Sequence, residues 1–180
     1  MRSAFGVKQV SPASPDALRL VRSPEGVWVP DFSGSLPGEE MWLPFEPDVL
    51  WEALQGPWAE GVVRAETLMR ARLLSDLGFA RKQGRLSLGR EKVIARLTKA
   101  GENGVLIHAI EASAGELRKL GSGTVGEKIG DFTTDELSHC SGGTYVVYAA
   151  TEKRYLPPLF WRKLSQWRVV HAAMKDKVQA

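Results

Sequence analysis

The chain has 180 residues, 43% of them hydrophobic and 25% charged, and a net charge of +3. That composition excludes a disordered chain, and no apolar run approaches the roughly 18 residues that a membrane-spanning helix needs. The single cysteine, Cys140, excludes an intrachain disulfide and a cysteine-cluster metal site; "MRSAFGVKQVSPASP" holds no apolar run of signal-peptide length, so the expected compartment is the cytoplasm.

After a Ser/Pro-rich lead, "ALRLVRS" and "GVWVPD" flank "SPEG" and predict a β-hairpin with Leu18, Leu20, Val27 and Val29 on one face. "FSGSLPGEEMWLPFEP" is punctuated by Gly and Pro and reads as a loop with a short extended "MWL". Pro47 opens a helix through Leu54, since a first turn has no use for the N–H that proline lacks, and "QGPW" ends it. These elements predict a small α+β unit over residues 1–60, with a boundary near Gly56–Val63.

From Arg64 helix and strand alternate. Met69, Leu73, Leu77 and Ala80 fall at helical spacing, which places Arg70, Arg81 and Lys82 on the surface. "RLSLG" is a short strand or loop, and a helix follows from Gly89 to Ala100 with Val93 and Leu97 inward and Lys92, Arg96 and Lys99 as a basic stripe. "GVLIHAI" predicts a buried strand, "SAGELRKLG" a short helix, "EKIGDF" a strand, "TTDELSHC" a helix capped by Thr133 or Thr134, and "TYVVYAA" a strand. A last helix starts at Pro157 and repeats Phe160, Leu164, Trp167, His171 and Met174. Strands separated by such helices predict an α/β fold, a three-layer α/β/α sandwich, over residues 61–180. The two parts differ in charge. Residues 1–60 hold 4 Lys and Arg against 9 Asp and Glu, net −5, whereas residues 61–180 hold 20 against 12, net +8, the sign expected of a polyanion binder.

Signals for catalysis are weak. "GSGTVGEK", Gly121–Lys128, contains a G-x-G-x-x-G, but it follows a helix and enters a strand, the reverse of the nucleotide-binding context, and Glu127 stands where a phosphate loop needs lysine. A flexible connection explains its glycines. His108 reads as a core residue, and His139 beside Cys140 lacks the further ligands that zinc requires, so neither metal nor cofactor is expected. Asp135 and Glu136 suit the positive end of a helix dipole. Phe160, Trp161 and Trp167, interleaved with Arg162, Lys163 and Arg168, could stack bases but fit a core stripe covered by arginine stems better. No nucleophile, base and acid set can be assembled, so the chain is expected not to be an enzyme.

The segment "FARKQGRLSLGREKV" sets Arg81, Lys82, Arg85, Arg90 and Lys92 against the single acid Glu91, with Gly84 and Gly89 placed to bend the chain. Together with "GVLIHAIEAS", "IGDFTTDEL" and "GGTYVVYAA", it resembles the bacterial YlxQ-type proteins of the ribosomal-protein (L-seven-Ae) family that binds kink-turn RNA. Residues 15–56 resemble the YlxR family, which some bacteria fuse ahead of such a domain. The resemblance implies structured RNA, kink-turn-like or ribosomal, held by Gly89, Arg90, Glu91 and Lys92, with the loop Glu111–Gly115, including Ser113, closing over it. Exposed helix-start amides and the flanking Arg81, Lys82, Arg85, Arg96 and Lys99 would attract phosphate. It also implies ribosome- or transcription-complex proteins as partners. Where kink-turn binders carry Gly-x-Asn-Glu-x-x-Lys, this chain has Glu91 for the asparagine, Lys92 for the glutamate and Ala95 for the lysine. In the YlxR-like part the cysteine-containing start is missing and Glu39 replaces an arginine. Two functions follow as expectations: an RNA-binding protein, or a protein-interaction adaptor built on a degenerate RNA-binding fold.

Overall fold

The computed structural model describes residues 16–120, 125–143 and 145–179, with side chains through Lys175. The Ser/Pro-rich lead and Gly121–Thr124 of the glycine-rich segment lie outside the described residues. The chain is mixed α/β and divides into two compact units: residues up to Ala71 with those from Arg162 onward, and Arg72–Trp161. This division differs from a boundary at Gly56–Val63, because the start of one long helix and most of the last helix group with the N-terminal residues. Among the described residues no helix is long and apolar enough to cross a membrane.

In the first unit, β1 (Ala17–Arg22), β2 (Trp28–Pro30) and β3 (Glu40–Pro44) form an antiparallel sheet in the order β2-β1-β3. The expected hairpin is present with Leu18 and Leu20 inward as expected, but on β2 the inward residue is not Val27 or Val29. Arg22 pairs with Trp28 and Leu20 with Pro30, so Trp28 shares the face of Leu18 and Leu20 and is buried, while Val27 and Val29 are only half-buried. The parity follows from the turn, which closes between Ser23 and Val27 with Gly26 at φ 84°. Helix α1 (Pro47–Leu54) starts on its proline and buries Val49, Leu50, Ala53 and Leu54.

Helix α2 (Ala59–Lys82) begins five residues before Arg64, where the pattern was expected to start. Gly61, which reads as a helix breaker, permits close packing instead: a Cβ there would lie 3.1 Å from both Leu20 Cδ1 and the Trp28 carbonyl. Within this unit Glu66 of α2 accepts hydrogen bonds from Trp167 Nε1 and at His171 Nδ1, each 3.0 Å, both on the last helix, α6 (Pro158–Gln179). Arg70, expected on the surface, lies over the Trp167 ring at 5.1 Å with Glu66 3.8 Å away. Trp167 is fully buried, as its core assignment requires.

The second unit holds β4 (Ser87–Leu88), α3 (Arg90–Ala100), β5 (Gly104–Ala109), α4 (Ala114–Leu120), β6 (Glu127–Phe132), α5 (Thr134–Cys140) and β7 (Tyr148–Glu152). The sheet order is β4-β7-β5-β6, with β5 and β6 parallel and the other pairs antiparallel. Val93 and Leu97 of α3 pack with Leu106, Leu120 and Ala150. Val105, Leu106, Ile107 and Ala109 are all fully buried, so both faces of β5 are covered. His108 is half-buried, with Nδ1 3.0 Å from the Ala109 carbonyl, and its ring occupies the space a side chain at Gly130 would need. Gly126 is likewise a packing glycine, since a Cβ would fall 1.7 Å from the Glu102 carbonyl. Strand β7 starts at Tyr148 rather than at the head of "TYVVYAA"; Tyr145 is 79% exposed, after the turn through Gly142 and Gly143.

Candidate nucleic-acid interface

The basic segment runs from the end of α2 to the end of α3. Arg81 and Lys82 close α2, and Gly84 at φ 69° turns the chain so that Arg85 N–H bonds back to the Ala80 carbonyl. Leu86 is buried and anchors the turn, β4 follows, and Gly89 at φ 83° forms the N-cap of α3. No side chain caps α3, and nothing lies within 4 Å of the place a Gly89 side chain would take. A helix start without a side-chain cap leaves its first amides to solvent or to an anion, at the positive end of the helix dipole.

The cations around this start divide into two kinds. Arg81, Lys82, Arg85, Lys92 and Lys99 are exposed, and among the described residues none makes an ion pair. Arg90 Nε lies 3.6 Å from Glu116 Oε2, and Lys119 reaches the same carboxylate at 3.1 Å. The Lys119 hydrogen bond, then the charges of Arg90 and Lys119, hold the Glu116 carboxyl below the usual range. Arg96 is the most constrained: Nε donates to Ser87 Oγ at 2.7 Å, a second nitrogen reaches the Gly84 carbonyl at 3.5 Å, and a third lies 3.6 Å from Glu152. Its guanidinium ties α3 to β4 and β7 and is only 23% exposed, so the stripe expected from Lys92, Arg96 and Lys99 presents mainly its two lysines.

The Arg90–Glu116 pair brings the α3 start against the start of α4, beside the loop expected to close over RNA. Within that loop Glu111 and Ser113 are exposed, and their oxygens bond to neighbouring helix starts. Ser113 Oγ accepts the Glu116 amide at 3.3 Å and so caps α4. Glu111 accepts from Thr134 N at 3.0 Å and Thr134 Oγ1 at 3.1 Å; hydrogen bonds from its own backbone and from Thr134 hold its carboxyl below the usual range. Thr133 and Glu136 form a capping box at the same helix start, with Glu136 accepting the Thr133 amide at 2.8 Å. Glu91 is exposed on the first turn of α3, followed by exposed Lys92 and Ala95.

Three residues of this surface carried no sequence signal. Tyr155, just after β7, has Arg154, Arg85 and Arg96 over its ring at 4.8, 5.5 and 6.0 Å. Glu152 lies 2.8 Å from Arg154 and serves Arg96 as well. The run "EKRY" shows its charges but gives no sign that Arg85 and Arg96 fold onto its tyrosine.

No family model and no curated protein matches the chain. Among solved structures, one described as a protein with unknown function from Bacillus halodurans C is 21% identical over 56% of this chain and 98% of its own, with a TM-score of 0.42.

Proposed function

We propose that the chain is a non-catalytic RNA-binding protein that holds structured RNA on the surface built by residues 81–99. The observation that carries this reading is the start of α3: a glycine N-cap with open space above it and no side-chain cap, flanked by five exposed cations that have no ion pair among the described residues. Phosphate satisfies such amides, and the cations add attraction that salt weakens. We take the mixed sheet, with both faces of β5 covered, as the three-layer α/β/α sandwich of a YlxQ-type domain, and the N-terminal antiparallel sheet as part of a YlxR-like unit. In this reading the protein works in the cytoplasm, without metal or cofactor, in ribosome-, translation- or transcription-related assemblies.

An adaptor would need its acidic N-terminal unit free to engage a partner. Glu40 lies 2.9 Å from Arg19 and Glu39 3.2 Å from Arg22, so these two acids already have cations within their own unit. The test is ultraviolet crosslinking of the full chain to a labelled RNA hairpin at low salt, with the crosslinked peptides identified. Crosslinks within residues 81–99 are expected. No complex at low salt, or crosslinks confined to residues 16–56, would overturn the reading.

A further inference from the structure

We propose that Tyr155 gathers Arg85, Arg96 and Arg154 into a second phosphate-binding patch, which grips the RNA backbone at the end of β4 opposite Gly89. The inference rests on the RNA reading above and adds a contact point to it. Ser87 pairs with Ala150 and Leu88 with Ala149, and Thr151 Oγ1 donates to the Arg85 carbonyl at 2.8 Å. Arg85 therefore lies against the far end of β7, where Tyr155 follows, while Gly89 leaves β4 toward the near end.

Three guanidinium groups on one phenol ring are an unusual concentration of like charge. One carboxylate, Glu152, opposes them, and it is shared between Arg154 and Arg96. The cluster keeps a local excess of two positive charges, held in place by the ring and by the Arg154 hydrogen bond to the Tyr155 hydroxyl at 3.1 Å. The three arginines have different duties. Arg96 is occupied by Ser87, Gly84 and Glu152, and Arg154 is half-occupied by Glu152 and Tyr155. Arg85 is exposed and stacked, and among the described residues its guanidinium has no hydrogen bond or ion pair. A stacked guanidinium whose fork of donors is open suits a phosphodiester, which it can bind through two parallel N–H bonds, and the stacking removes in advance much of the side-chain entropy that binding would cost.

Distance argues for the RNA backbone as the occupant. Gly89 is four steps along the chain from Arg85, a reach of at most about 14 Å. Phosphates recur along a nucleic-acid backbone at spacings well inside that span, so one RNA segment can reach both points. Tyr155 is then a positioning residue, acting through the arginines on its ring.

The experiment measures affinity of the full chain for a labelled RNA hairpin over a salt series, for wild type, Arg85→Gln with Arg154→Gln, Lys92→Gln, Tyr155→Leu and Tyr155→Phe. The double variant is expected to lower the slope of log affinity against log salt by about 1–2, as one or two lost phosphate contacts require. Tyr155→Leu leaves every charge in place, so the expected result is several-fold weaker binding with an unchanged slope. Tyr155→Phe keeps the ring and should recover most of that loss. Wild type that fails to bind RNA would overturn the RNA reading itself. RNA binding that weakens with Lys92→Gln but keeps its affinity and slope in the double variant would overturn this inference alone and leave the patch to an acidic protein partner. Because Arg85 and Arg154 are both exposed, the double variant carries the test even if Tyr155→Leu fails to fold.

Discussion

Replacing Lys92 and Lys99 with glutamine should change the salt dependence of RNA binding by an amount that the structure sets in advance. Five cations on the 81–99 surface, Arg81, Lys82, Arg85, Lys92 and Lys99, are exposed with no ion pair among the described residues, whereas Arg90 and Arg96 each face a carboxylate. If each of the five neutralises one duplex phosphate, the slope of log affinity against log salt is about −4.5, at about −0.9 per phosphate. Raising salt from 50 to 200 mM should then weaken binding about 500-fold. Without the two lysines the slope falls to about −2.7 and the same change of salt costs only about 40-fold. Fluorescence anisotropy with a labelled hairpin at four salt concentrations reads both slopes. A wild-type slope shallower than about −2, or the same slope in the double variant, would refute the assignment of these cations to phosphate.

Other consequences can be checked separately. In the proposed correspondence with kink-turn readers, Glu91 is an acceptor-only carboxylate where they use an amide, Lys92 a donor where they use an acceptor, and Ala95 a methyl where they use a cation, so on that proposal wild type should barely prefer a kink-turn to a straight duplex. Competition titration should show a clear gain with Glu91→Asn, Lys92→Glu and Ala95→Lys together; strong wild-type preference would show that these positions are misassigned. Glu66→Ala removes the acceptor 3.0 Å from the buried Trp167 N–H, for a loss of about 1–3 kcal/mol in urea denaturation, while Glu66→Gln keeps an acceptor and should cost about 1 kcal/mol or less. Equal losses would mean that the hydrogen bond is not what matters. Burial opposes ionisation of Asp31, but hydrogen bonds from Leu36, Ser33 and Gly34 together outweigh it and hold its carboxyl below the usual range. Its stability contribution is therefore complete above the unfolded value of about 3.9 and lost as pH falls through the lower folded value, so an acid titration should show Asp31→Asn losing less stability than wild type below about pH 4.

Where apolar spacing and end signals agree, the sequence is a sound guide to this fold. Pro47 to Leu54, the α2 residues Met69, Leu73, Leu77 and Ala80, and the Thr133 cap all appear where expected. The errors arise where a turn or a contact that apolar spacing does not show decides the outcome. The face of β2 depends on where the hairpin turn closes, and a shift of one residue exchanges Val29 for Trp28. Gly61 looks like a breaker until Leu20 and Trp28 are seen pressing on it. The terminal aromatic helix gives its spacing but not its partner, Glu66, whose carboxylate meets both Trp167 and His171.

The candidate interface is legible as charge and only partly legible as chemistry. Arg96 has the right charge and spacing for a phosphate contact, yet its donors go to Ser87, nine residues back, and toward Glu152, on a strand that follows four further helices and strands. Glu111 and Ser113 lie in the expected loop, but their oxygens satisfy the starts of α5 and α4. That use of side chains makes α3 the informative exception in this unit. Helices α4 and α5 each receive a side-chain acceptor at their starts; α3 starts on a glycine with open space over it, and its first turn carries Arg90 and Lys92 against Glu91, so cations that oppose the helix dipole outnumber the acid there. Positive charge at the positive end of a helix weakens the isolated protein. It is favourable once an anion lies between the amides and the cations, which is why this start, rather than the larger count of basic residues around it, supports a phosphate-bearing ligand.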